Sequence, residues 1–255
     1  MNNYEYEAVD PLIYEQASEV ASEIIENASV YYNIQRNQVR YQHVINYLMH
    51  IFDDVDVYGF TSDSANQQKL DAFNNFLSYP LCLDIHCLHI KQQSTTFSKT
   101  VSGFTVFDSF GPLVFINADY QQAQGSIIFT IIHELVHVYK ARQNPNYEKV
   151  VAMITNSVLH QEFYPIELRP IETETNIIAS LLYASDEVLK QDVMNLNFYE
   201  MLRKYTISTS ALHNRLINYF TYNCGLNCNQ ALTAVMAFRN NDIELLNKLR
   251  IHLAQ

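Results

Sequence analysis

Between Ser126 and Tyr139 the chain reads Ser-Ile-Ile-Phe-Thr-Ile-Ile-His-Glu-Leu-Val-His-Val-Tyr, a run that suits the inside of a protein and not its surface. Ile127, Ile128, Ile131, Ile132, Leu135 and Val136 surround a helix on nearly every side, so the segment must be buried, and it takes His133, Glu134 and His137 in with it. Burying two imidazoles and a carboxylate without compensation is costly, and a metal ion compensates. The spacing is His-Glu-x-x-His. Positions i and i+4 lie one turn apart with Cβ atoms about 5–6 Å from each other, so both imidazoles can reach one ion. Glu134, about 100° further round the helix, sits beside that ion, where it can take a proton from water.

Zinc in a hydrolytic site keeps three protein ligands and an open position, so a third ligand is needed downstream. Glu172-Thr-Glu174-Thr-Asn176 follows Pro170, a first-turn residue of a helix. Glu172 and Asn176 share a face, which makes Glu172 the candidate ligand, with Asn176 hydrogen-bonding His133 to fix its tautomer. Glu174 points about 200° away around the helix, toward solvent or a salt bridge. An exchange of roles between Glu172 and Glu174 stays open at this point.

Around these residues the pattern is helical. An apolar stripe predicts a helix over about 11 to 35, and a second covers 37 to 52. Val55 to Phe60 reads as a strand, Gln67 to Leu77 as a helix stopped by Pro80, and Cys82 to Ile90 as a strand. Gly103 to Asp108 and Leu113 to Asn117 form a candidate hairpin. Helices follow over about 124–142, 148–161, 169–185, 187–204, 209–222, 228–238 and 241–253. Five glycines in 255 residues agree with long helices and leave no phosphate-cradling glycine loop. A small sheet followed by helices, without βαβ repetition, indicates an α+β domain over 1–185 and a helical C-terminal subdomain over 186–255, with the cut near Asp186.

A net charge of -11 opposes adsorption to nucleic acid or an anionic membrane. Seven acids and no Lys or Arg fall in the first thirty residues, on a solvated helical face. No run has the length of a membrane span, and the opening residues do not read as a secretory signal, so a cytoplasmic protein with four reduced cysteines is expected. Cys82, His86, Cys87 and His89 do not make a second zinc site, because alternation on a strand sends them to opposite faces.

Three segments together resemble the ImmA/IrrE metallopeptidases. Leu113-Val-Phe-Ile-Asn117 and the His-Glu-x-x-His run look like the family's strand ending in Asn and its active-site helix. Glu172-Thr-Glu-Thr-Asn-Ile-Ile-Ala-Ser-Leu-Leu looks like its glutamate helix, and Tyr205 to Leu216, with Ser208 and Arg215, resembles its downstream helix-turn-helix-like segment. Val136, Ile178 and Tyr183-Ala-Ser185 depart from the usual residues, and none of them is a ligand or the base. The resemblance spans Pro112 to Leu216 and leaves residues 1 to 100 uncovered.

It implies a zincin-like fold and a zinc endopeptidase holding one Zn2+ per chain on His133, His137 and Glu172, with Glu134 activating water. The substrate it implies is a helix-turn-helix repressor of a phage, mobile element or stress locus. Tyr139, Tyr164, Tyr183, His160 and His213 are candidates by type for holding the oxyanion, and Leu113 to Ile116, if this strand is an exposed edge, could align a substrate strand. The rival reading is a non-catalytic, zinc-containing regulator that binds a repressor. Direct DNA binding through Tyr205 to Tyr219 is disfavoured by acidity.

Overall fold

Asp10 and Pro11 start the first helix, α1 (Pro11–Tyr32): the Asp10 carboxylate accepts from Leu12 N at 2.8 Å, and the fixed φ of Pro11 suits the first helical position. Asn33, in the left-handed conformation, ends it. Ala17, Ala21, Ile24, Ile25 and Ala28 form the buried stripe, while Glu15, Glu19, Glu23 and Glu26 face solvent as expected. The computed structural model describes residues 8–61, 67–81, 86–89, 101–118, 124–159 and 166–253.

α2 (Tyr41–Ile51) leads into β1 (Asp56–Thr61), then α3 (Gln67–Leu81), which ends one residue past Pro80, and β2 (His86–His89). β3 (Gly103–Phe107) and β4 (Pro112–Asn117) form the antiparallel hairpin that the turn chemistry at Asp108 predicts; its carboxylate accepts from the main chain of Phe110 and Gly111. The sheet order is β2-β1-β4-β3, with β1 parallel to both β2 and β4. One parallel β1–α3–β2 crossover is therefore present, which the sequence pattern did not bring out. Among the described residues the crossover does not repeat, so the class remains α+β and helix-rich.

One expectation is corrected. β4 is no edge: it lies between β1 and β3, because β1 pairs with it in parallel. The edge strand of the hairpin is β3.

α4 (Gln124–Gln143) is buried on nearly all sides, with Ile131, Ile132, Leu135 and Val136 fully enclosed, each such side chain contributing about 1.5–3 kcal/mol on burial. It packs on β3 and β4, on α2 and on α6 (Arg169–Tyr183), while α5 (Asn146–Leu159) covers β3. Among the described residues no helix is long and apolar enough to cross a membrane.

The C-terminal region comprises α7 (Asp186–Asn195), α8 (Phe198–Tyr205), α9 (Thr209–Asn218), α10 (Cys228–Asn240) and α11 (Ile243–Leu253). The sequence predicts one helix over 187–204, and the chain makes two. Asn197 and Glu200 form a reciprocal cap, the Asn197 side chain accepting from Tyr199 N and Glu200 N while Glu200 accepts from Asn197 N at 2.7 Å. The main hydrophobic cluster reaches from Tyr14 to Leu246, with smaller ones around Phe60 and Phe104 and around Ala141 and Tyr147. Gly125 lets the turn after α8 rest on α4, since a Cβ there would stand 2.1 Å from Thr206 O.

Arg215 fastens this region to α6 and α7. It is 3% exposed and donates from Nε and an Nη to Ala184 O at 3.0 and 2.8 Å, and from that same Nη to Asp186 Oδ1. Removing one partner of a buried pair leaves the other without compensation. Arg215→Ala is expected to destabilise the fold by about 3 kcal/mol or more, read as a lower urea midpoint with an unchanged slope.

Candidate metal centre

The middle of α4 meets the first turn of α6, and this crossing brings His133, His137 and Glu172 together. Their ligand atoms all lie within 4.8 Å of one another, a group that can hold a metal ion. The two Nε2 atoms are 3.1 Å apart, His137 Nε2 is 3.0 Å from Glu172 Oε1, and His133 Nε2 is 3.6 Å from Glu172 Oε2. Atoms each about 2.0–2.2 Å from a tetrahedral centre stand about 3.3–3.6 Å apart; one of the three spacings lies in that range and the other two are 0.2–0.3 Å shorter, close enough for the three groups to share one ion after a small outward shift.

The protons around His137 support the same conclusion. Thr175 Oγ1 donates to Ile171 O at 2.9 Å, which spends its only hydrogen. Tyr147 OH, 3.4 Å from Thr175 Oγ1, must then be the donor to it, and so accepts from His137 Nδ1 at 3.2 Å. His137 therefore carries its proton on Nδ1 and turns a bare Nε2 lone pair toward His133 and Glu172, the tautomer being assigned from the network. Burial raises the Tyr147 pKa well above the usual phenol value, which keeps the hydroxyl available for this chain. A bare Nε2 lone pair on His137 facing a carboxylate repels it unless a cation or a proton lies between them.

The groups also shift protonation at Glu172 and His133. Burial pushes the Glu172 carboxyl up, but His133 and His137 outweigh it and hold Glu172 well below the usual carboxylate range. Burial likewise opposes the charged form of His133, yet Glu172, the charge of Glu134 and Asn176 together raise it above its ordinary value. Glu172 Oε1 is buried, and the nearest ring nitrogen to it is His137 Nε2 at 3.0 Å.

The structure leaves Glu174 away from this set: it forms a salt bridge with Lys140. Asn176 lines the cavity beside His133, where its side chain favours the charged imidazole, while His133 Nδ1 is buried. Of the oxyanion candidates, Tyr139 donates to Glu23 and Tyr183 to Tyr205 O, and His213 is buried near Arg239; none of the three lines the cavity. His160, Tyr164 and Cys82 lie outside the described residues, as do the side chains of His86, Cys87 and His89. Cys224 and Cys228 are free thiols.

Glu134 is 5% exposed, and its Oε2 accepts a hydrogen bond from Thr105 Oγ1 at 2.7 Å. With the three ligands it lines a cavity of about 550 Å³ between β3, α4, α5 and α6. Asn117 is buried, and its Nδ2 donates to Val101 O at 2.7 Å, fixing the approach to β3 along this cavity. Tyr147, Thr175 and Thr105 did not stand out in the sequence. Nothing marks Tyr147 among 18 tyrosines, and each of the three acts through a tertiary contact.

No family model, curated protein or solved structure matches the chain. The centre therefore stands on its own geometry.

Glu172→Ala is expected to abolish tight metal binding, measured by competition with a chromophoric chelator, and Glu174→Ala to leave it unchanged. Tyr147→Phe removes the acceptor that fixes the His137 tautomer, and metal affinity is expected to fall about 10-fold or more.

Proposed function

We propose that the chain is a zinc-dependent endopeptidase with a zincin-like fold, akin to the ImmA/IrrE metallopeptidases, that cuts a helix-turn-helix repressor. One observation carries the reading: Glu134, which is not one of the three ligands, is buried beside them and lines the same cavity. A metal held only for structure has no use for that carboxylate, whereas hydrolysis needs a base. Two imidazoles and one carboxylate suit zinc and leave a position open. When bound, zinc supplies a Lewis acid that lowers the pKa of water and polarises a carbonyl.

The chain's own residues supply the rest. Glu134 accepts the proton of the attacking water and passes it to the departing amine. β3 borders the cavity as a sheet edge. Asn117 N donates to Ser102 O, so alternation along the ladder turns the main chain of Gly103 away from β4, where an extended substrate can meet it. Phe129, Val151, Ile154 and Val158 line the cavity with apolar surface, which favours a bulky uncharged side chain next to the scissile bond. A repressor as substrate follows from the resemblance of three segments in the same order along the chain.

The test compares zinc content and cleavage of a repressor encoded beside this protein. Wild type is expected to hold zinc and cut; Glu134→Gln is expected to hold zinc and lose at least about 100-fold in rate. If Glu134→Gln cuts as well as wild type, the protein is no hydrolase of this kind. If neither cuts but both bind the repressor, the regulator reading replaces it.

A further inference from the structure

Glu134 is held from one side by two residues of β3. Thr105 Oγ1 donates to its Oε2 at 2.7 Å, and a Cβ on Gly103 would stand 3.4 Å from its Oε1 and 2.5 Å from Thr130 Cγ2. Gly103 and Thr105, two apart on a strand, face the same way. The absence of a side chain at Gly103 lets the strand come down onto α4, and Thr105 then meets the carboxylate. Thr105 is itself fixed. It is 1% exposed, its carbonyl accepts from Thr155 Oγ1 of α5 at 2.5 Å, and its branched side chain has few rotamers.

The His-Glu-x-x-His spacing sets the direction of Glu134 from the helix but not its outer torsions, which a glutamate otherwise varies. Proton transfer needs donor and acceptor within hydrogen-bond reach. We propose that Thr105 is a positioning residue: its hydroxyl engages one oxygen of Glu134 and leaves the other aimed to accept the proton, a role that rests on the metallopeptidase reading above. Thr155 and Gly103 support it by fixing where Thr105 stands.

The test loads the full chain with cobalt(II) and titrates it with acetohydroxamate, following the visible absorption. A hydroxamate chelates the ion and gives up a proton to a carboxylate beside it, so its affinity reports how Glu134 is placed without any substrate. Thr105→Val is expected to weaken binding about tenfold or more, and Thr105→Ser, which keeps the donor, by no more than about threefold. Glu134→Gln should also weaken binding, and Thr105→Val added to it should cause no further loss, because the threonine acts through the glutamate.

Cobalt content and thermal melts verify that each variant is folded, and Thr105→Ala replaces the valine variant if that fails. Wild-type affinity in Thr105→Val, or an equal loss with and without Glu134, overturns the proposal while leaving Glu134 as the base. Wild-type affinity in Glu134→Gln, or no cobalt bound by the wild-type chain, overturns the metallopeptidase reading instead, and the role of Thr105 falls with it.

Discussion

Two imidazole nitrogens and a carboxylate oxygen, mostly shielded from solvent, lie within 4.8 Å of one another, where a bare lone pair and a charged oxygen repel. A cation among them turns that repulsion into attraction, and the low local dielectric strengthens it. The rest of the molecule is arranged around this constraint. α4 is enclosed by sheet and helices, which leaves the His137 side chain 2% and the His133 side chain 13% exposed, and α6 begins where its first-turn carboxylate closes the triangle. Glu174, two residues on, is held by Lys140 on another side of α6 and does not compete for the ion.

α5 braces the site at both of its ends. Tyr147 fixes the proton of His137, and Thr155, two turns later, holds the carbonyl of Thr105, whose hydroxyl reaches Glu134. One helix thus bears on a ligand and on the carboxylate beside it. Networks of this sort keep a buried polar group in one arrangement because each alternative leaves some donor or acceptor unpaired.

The C-terminal helices belong to the same core as α1. Tyr14 stacks on Tyr222 at 3.9 Å, Tyr222 donates to Val9 O, and Arg215 spans to Ala184 and Asp186. These contacts bind segments far apart in the sequence.

The sequence by itself brought out the His133–His137 pair, the carboxylate beside it and the burial of α4, because i and i+4 on one helix are neighbours whatever the fold around them, but it left Glu172 and Glu174 both open as the third candidate until the crossing of α4 and α6 set Glu172 beside the histidines and Glu174 on Lys140. It also determined the hairpin and most helices through capping and periodicity. The break at Asn197 was legible in its Asn-x-x-Glu cap, though the apolar pattern runs across it. Only the tertiary structure decided that β4 is interior and β3 the edge, that β1 pairs in parallel, and that Tyr147 and Thr105 attend the site. These are relations between segments far apart in the chain. A lone tyrosine or threonine carries no periodic signal, so its hydrogen bonds become visible only when packing has placed its partner within 3 Å or so.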